Sequence, residues 1–379
     1  PILNSNTHLN MMQKGPPEYH CHWPKFMLPI EANGDVVDCM HWGTRPIANL
    51  KETTLDEVLR HPRVRALAGR EGESCHKCVS IHRVEISEVC GVVCQPDRPS
   101  GRGQVLAAPP VKERALARGL DVYQPEKVRT GELAAWLRDL KVDVALVVAY
   151  GRILPLDVLT APRLGCVNVH ASLLPRYRGA APITWAVVRG EPETGVTLMK
   201  MDEGMDTGDI LEKFVTPIAP DETAGELSER LSALGALAVR RGLPRFVSGG
   251  YTPVAQDGAR ATTAPILTKQ DGLVDFTKTA VEVHDHVRGM SPWPGAFATL
   301  RGKVVKVHEA TASDLTSPGA RPGQVVLADK TGLVVACGDG SVALARVQLE
   351  GKKPIRGVDW IAGRGVAEGD TFNAAATTE

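Results

Sequence analysis

The chain has no excess charge of either sign: its 379 residues carry 44 Lys+Arg against 44 Asp+Glu. Net charge therefore gives no argument for a nucleic-acid partner, and any such site must come from local clustering. No apolar run approaches the roughly 20 residues that a membrane-spanning helix needs. Residues 1–25 lack the charged-then-apolar order of a signal peptide. The expectation is a cytoplasmic protein with no membrane association. No Ser or Cys stands in a nucleophile elbow, which argues against a covalent enzyme intermediate. There is no internal repeat.

What is present is enough for two or three domains with real cores, and the hydrophobic fraction of 43% is ordinary for a soluble protein. The eight cysteines are unevenly spread: Cys21, Cys39, Cys75, Cys78, Cys90 and Cys94 come early, and only Cys166 and Cys337 follow. A disulfide framework is not expected in a reducing compartment, so the early cluster suggests a metal site.

Three textures follow one another. In residues 1–86, KFMLPIEANGDVVDC holds two short β-like runs around an Asn33–Gly34 turn, a hairpin signal. Thr54 and Glu57 form a capping box before a helix that Pro62 interrupts. From 87 to 265, strands alternate with helices. Residues 131–141 place Leu133, Trp136, Leu137 and Leu140 on one helical face. VDVALVVA (142–149) reads as a buried parallel strand and GCVNVH as the next. Thr223 and Glu226 cap a helix carrying Leu227, Leu231, Leu234 and Leu237, expected to end near Gly242. This alternation predicts an α/β domain with a Rossmann-like parallel sheet covered by helices. From 266 to 379, FATL, KVVKVHEA, GQVVLAD, GLVVAC and SVALARVQL are separated by Gly-rich turns, which predicts a small antiparallel β-barrel of OB-like type.

The chemistry concentrates in NVHASLLPRYRG (168–179). Alternate side chains of a strand share a face, so Asn168 and His170 point the same way at the strand's carboxyl end, where open α/β sheets bind ligands. An amide donor, an imidazole and a carboxylate are what acyl transfer requires. Asp206, in the Gly- and acid-rich loop GVTLMKMDEGMDTGDIL, is the best carboxylate candidate. With no nucleophile, transfer would be direct to an acceptor. By spacing alone, Asn-x-His is more often structural.

NVHASLLPRYRGAAPITWAV, QPDRPSGRGQ (95–104), VVAYGRILP (147–155) and MDEGMDTGDIL (201–211), with SPWPGAFATLRGKVVKV and QLEGKKPI near the end, closely resemble the methionyl-tRNA formyltransferases. The resemblance runs from about residue 87 to near the C-terminus. It implies formyl transfer from 10-formyltetrahydrofolate to the α-amino group of methionyl initiator tRNA by a monomer, with Asn168, His170 and Asp206 as the catalytic trio. It further implies that Ser172, Leu173, Leu174 and Pro175 lie beside the folate. Val148, Ala149, Tyr150 and Gly151 line the pterin side, mostly through backbone groups. Arg98 and Arg102 meet the tRNA acceptor end, and Arg301, Lys303, Lys306, Lys352, Lys353 and Arg356 are available as a second basic face.

The family opens with a strand, a Gly-Thr-Pro-x-Phe-Ala turn and a helix before the strand that ends in QPDRP, and that unit is absent here. The catalytic domain is therefore read as truncated at its N-terminus. Because the first strand of a doubly wound sheet is central, the second is expected to lose its neighbour. In the front segment, the spacing of Cys21, Cys39, Cys75 and Cys78 (C-x17-C-x35-C-x2-C) resembles the SPASM tail of radical SAM enzymes. That implies an iron–sulfur cluster, with four-cysteine zinc and unligated thiols as the other readings. No C-x3-C-x2-C triad is present, so a radical SAM core is not expected. Cys90 and Cys94 read as ordinary strand residues. Two other functions stay open: a folate-dependent formyltransferase with a sugar-amine acceptor, and a non-catalytic iron–sulfur or RNA-binding protein. If the QPDRPSGRGQ loop meets tRNA, Arg102→Ala weakens tRNA use while leaving folate binding intact; an unchanged apparent affinity for tRNA would contradict that role.

Overall fold

A strand buried on both faces needs β-branched residues throughout, and one at a free edge does not. The middle of the chain contains both kinds. The computed structural model describes residues 35–36, 48–49, 89–100, 105–315 and 317–373. The four front cysteines, Arg102, the Asn33–Gly34 turn and the Thr54–Glu57 capping box lie outside the described residues. In the unit Pro1–Ser80, β1 (Asp35–Val36) pairs antiparallel with β2 (Ala48–Asn49).

The unit Ile81–Glu379 begins with β3 (Val92–Val93), the hairpin β4 (Arg98–Ser100) and β5 (Val105–Ala107), and helix α1 (Pro110–Leu116). Then come β6 (Val122–Tyr123), α2 (Glu132–Asp139), β7 (Ala145–Val147), α3 (Leu156–Leu159) and β8 (Cys166–His170). β9 (Arg178–Gly179), α4 (Pro182–Val188), β10 (Glu193–Lys200), β11 (Ile210–Pro217) and α5 (Ala224–Val247) complete this part. The main sheet has the order β11-β10-β8-β7. β7 and β8 run parallel, whereas β10 is antiparallel to β8 and to β11, because β10 and β11 form a hairpin closed by the Gly- and acid-rich loop. β3 and β6 form a separate parallel pair. Among the described residues β3 pairs with β6 alone and β7 with β8 alone.

The reading of 142–149 as a fully buried strand is corrected by this free edge. Ala145 and Val147 pack with Leu133, Leu137, Val158 and Cys166. The alternate residues Leu146 and Val148 are 38% and 58% exposed, with Val239 and Phe246 of α5 only partly covering Leu146. The two parts of the sheet are held together by the α2–α3 layer, whose core includes Val93 and Tyr123 as well as Ala145 and Val147. At their carboxyl ends Gln95 joins them, its Nε2 donating to the Tyr150 carbonyl at 2.7 Å while its Oε1 accepts from Arg152 Nε at 3.0 Å.

Helix α5 starts with the expected capping box, in which Thr223 Oγ1 accepts from Glu226 N and the Glu226 carboxylate accepts from Thr223 N. It buries Leu227 and Leu231 on the sheet, each contributing about 1.5–3 kcal/mol. It does not end near Gly242 but runs on to Val247. A Cβ on Gly242 would lie 2.2 Å from Leu198 Cδ1, so this glycine permits close helix–sheet contact rather than stopping the helix.

After β12 (Thr263–Ala264) and α6 (Ala280–Gly289) come β13 (Phe297–Leu300), β14 (Lys303–Ser313), β15 (Val325–Asp329), β16 (Gly332–Ala336), β17 (Ser341–Leu349), β18 (Ile355–Arg356) and α7 (Gly357–Ala362). The antiparallel order is β13-β14-β17-β16-β15, with β18 on β17. Thr371 and Phe372 bridge to Gln324 and Leu300, linking both edges of this sheet. Phe276, Trp360 and Phe372 pack at its centre. No helix among the described residues is long and apolar enough to cross a membrane.

In the parallel ladder Ala145 N donates to Gly165 O, so the next amide, that of Leu146, points to the free edge. In native-state hydrogen exchange Leu146 is expected to exchange faster than Val147; equal protection of the two would mean that the edge is covered.

Candidate active site

β8 delivers Asn168 and His170 to one face, and its hydrogen bonds to β7 and β10 fix their register: Asn168 lies opposite Val147 and Met199, and His170 opposite Thr197. The loop between β10 and β11 curls over that face and brings in Asp206. Its carboxylate Oδ1 lies 3.4 Å from Asn168 Nδ2 and 3.6 Å from His170 Nδ1, and its Oδ2 accepts from the Gly179 amide at 2.8 Å. The loop closes tightly because Gly208 has no side chain: a Cβ there would sit 1.9 Å from the Lys200 carbonyl.

His170 is buried, and its Nε2 is 2.9 Å from the Tyr177 carbonyl. A carbonyl only accepts, so Nε2 carries a proton. Nδ1 is then the unprotonated nitrogen of the neutral ring. Its 3.6 Å separation from Asp206 is longer than a hydrogen bond. The Tyr177 backbone is itself held, since its amide donates to Thr262 Oγ1 at 2.9 Å. Burial, reinforced by its bond to Glu191, pushes the Tyr177 phenol up to about 12. It stays a protonated donor.

The neighbouring thiols offer no nucleophile. Cys166 is buried at the start of β8, and that burial pushes it up to about 12; burial also raises Cys94. Among the described residues no group of three His, Cys, Asp or Glu is arranged to hold a metal ion.

The SLLP stretch follows β8 directly. Ser172 and Leu174 are fully buried: Ser172 Oγ donates to the Arg176 carbonyl at 2.7 Å, and Leu174 N donates to Thr197 Oγ1 at 3.2 Å. These two shape the turn from behind, and Leu173 and Pro175 are its half-buried members. At the carboxyl end of β7, Val148, Ala149 and Gly151 are exposed. Tyr150 is half-buried, with a hydroxyl that is enclosed and has no hydrogen-bond partner.

Arg98 is exposed on β4 and donates to Gln95 Oε1 at 3.3 Å, the same Gln95 that ties this loop to Tyr150. In the C-terminal part, Arg301 is paired with Asp370 and Arg356 with Asp359, whereas Lys303, Lys306, Lys352 and Lys353 of the same predicted set are exposed. The pairing of Val305 with Leu349 and of Lys306 with Gln348 puts the turns on either side of these lysines at one end of the sheet. A cavity of about 630 Å3, lined by Leu156, Arg163, Lys200, Phe246 and Tyr251 among others, contains none of the trio. Chemistry rather than concavity picks out the site.

Sequence reasoning missed Thr197, Arg178, Gly179 and Gln256. Thr197 Oγ1 donates to Ser172 O at 2.6 Å, and the other three hold Asp206. Arg178 and Gly179 close the NVHASLLPRYRG motif and Thr197 stands near the start of the stretch that carries Asp206, whereas no local signal marks a Gln in a connecting segment.

Comparison with known proteins gives three family matches: Formyl transferase over residues 69–242, Formyl transferase, C-terminal domain over 266–365, and an iron-sulfur cluster-binding domain, SPASM, over 21–79. The methionyl-tRNA formyltransferase of Sorangium cellulosum is 56% identical over 285 residues, 75% of this chain and 92% of that protein. That of Myxococcus xanthus is 51% identical over 285 residues, 75% of this chain and 90% of that protein. Among solved structures, an N-formyltransferase from Helicobacter canadensis aligns with a TM-score of 0.52 at 17% identity, over 70% of this chain and 92% of that one, a likeness of fold alone. With more than half of its aligned residues shared over nearly the full length of such relatives, the chain belongs to the methionyl-tRNA formyltransferase family.

Proposed function

We propose that the chain transfers a formyl group from 10-formyltetrahydrofolate to the α-amino group of methionyl initiator tRNA, in translation initiation. The observation that carries this reading is the meeting of Asn168, His170 and Asp206 around one carboxylate oxygen, in a chain 56% identical to a methionyl-tRNA formyltransferase. The two remaining readings have less support. The sugar-amine acceptor is named for a solved structure only 17% identical. A non-catalytic protein has no need of the converging trio.

In this mechanism Asn168 donates an amide N–H to the formyl oxygen as negative charge develops on it. His170 takes the proton of the attacking amine at Nδ1, its Nε2–H staying on the Tyr177 carbonyl, and the proton passes to N10 of the folate as the formyl C–N10 bond breaks and tetrahydrofolate leaves. Asp206 stabilises the resulting imidazolium without being protonated itself. Leu173 and Pro175, with the backbone of residues 148–151, form the wall for the folate. Arg98 and Arg102 receive the acceptor end of the tRNA, and Lys303, Lys306, Lys352 and Lys353 offer phosphate contacts. The setting is a cytoplasmic monomer.

For the front segment we infer that Cys21, Cys39, Cys75 and Cys78 hold an iron–sulfur cluster. Supporting this are the SPASM match over 21–79 and the donor set itself, since four thiolates suit iron–sulfur or zinc. Visible absorption and iron in anaerobically purified protein, both lost in Cys75→Ala, are expected; zinc in place of iron would contradict the cluster.

The activity is tested by formyl transfer from 10-formyltetrahydrofolate to charged initiator tRNA. The full chain is expected to be active, and His170→Ala to lose about 10²–10⁴-fold in kcat. A folded protein inactive on this acceptor, or one indifferent to the substitution, would overturn the reading.

A further inference from the structure

Asp206 is a non-glycine residue in the left-handed region, at φ 55°, a backbone disfavoured by its own Cβ. Such a conformation is held by its surroundings. Its carboxylate is gripped by the Gly179 amide, and its backbone by one side-chain amide. Gln256 Nε2 donates to the Asp206 carbonyl at 2.8 Å and to the Gly208 carbonyl at 2.7 Å. Its Oε1 accepts from Arg178 Nε at 3.0 Å and from Arg178 Nη2 at 2.8 Å. A guanidinium cannot accept and a carbonyl cannot donate, so the network admits one orientation of the amide, with every donor and acceptor used. The next residue, Gly179, donates its N–H to the Asp206 carboxylate. Adjacent residues of β9 therefore hold Asp206 twice: directly at its carboxylate and, through Gln256, at its backbone.

We propose that Gln256, oriented by Arg178, is a positioning residue of formyl transfer: it imposes the left-handed backbone that points the Asp206 carboxylate between Asn168 and His170. This rests on the reading that the Asp206 carboxylate serves His170 in the reaction. Gln256 makes no hydrogen bond to His170; it acts on the loop through the Asp206 and Gly208 carbonyls and on β9 through Arg178. Removing it lets the loop relax and the carboxylate withdraw. The imidazolium formed in the reaction then loses its counter-charge, and kcat falls.

The test is a double-mutant cycle on the full chain, pairing Gln256→Ala with Asp206→Asn. Gln256→Ala alone is expected to lower kcat about ten- to a hundredfold, with KM for both substrates nearly unchanged. In the Asp206→Asn background the same change is expected to cost less than about twofold. An equal loss in both backgrounds or a loss confined to KM would overturn the proposal. If Asp206→Asn alone keeps full activity, the catalytic reading of Asp206 fails rather than the clamp. Should Gln256→Ala not fold, Arg178→Lys carries the same cycle. It keeps one donor to Oε1 and loses the fork, and it is expected to give a smaller kcat loss of the same pattern; unchanged kcat there would likewise overturn the proposal.

Discussion

A backbone carbonyl can only accept a hydrogen bond, and the account of this site depends on the one at Tyr177. Placed 2.9 Å from His170 Nε2, it decides which ring nitrogen carries the proton and leaves Nδ1 facing Asp206. What holds that carbonyl is the segment after β8. Thr197 fixes the turn through Ser172 O and Leu174 N. Thr262 takes the Tyr177 amide, and β9 pairs with β12. Acid–base chemistry at one imidazole thus rests on residues spread from 172 to 264. That is the usual price of holding a proton acceptor in one orientation.

The sheet behind the site is in two parts, yet the residues of the trio all belong to one of them or to loops closed over it. β8 is paired on both edges, and Asn168 and His170 sit on it. The other part, β3 with β6, contributes the Gln95 bridge to Tyr150 and the Arg98 hairpin. Among the described residues the parts meet through helices and a side chain instead of a ladder, so residues 148–151, proposed as the folate wall, are the less constrained side of the site.

Much of this was legible in the sequence because it is local. The capping box of α5, the face of α2 and the five β-runs of the C-terminal sheet are short-range patterns, and each produces its element. The sharing of a face by Asn168 and His170 follows from strand alternation alone. What was not legible depends on pairing at long range. Leu146 and Val148 are exposed on a strand that pairs on one side only among the described residues, and their apolar character reads the same in either case. Gly242 looked like a helix stop because glycine often is one; its function is close contact with Leu198. Gln256 reaches Asp206 across 50 residues of sequence, and no spacing rule connects a connecting segment to a loop formed earlier in the chain.

The central claim is that His170 presents an unprotonated Nδ1 to the reaction because Tyr177 retains the proton on Nε2. Nitrogen-15 NMR of the imidazole, on protein labelled at histidine and compared with His170→Ala for assignment, reads this directly. The account predicts that in its neutral form His170 is the Nε2–H tautomer. A neutral ring protonated on Nδ1 would contradict it, because the base would then already hold the proton it is meant to accept.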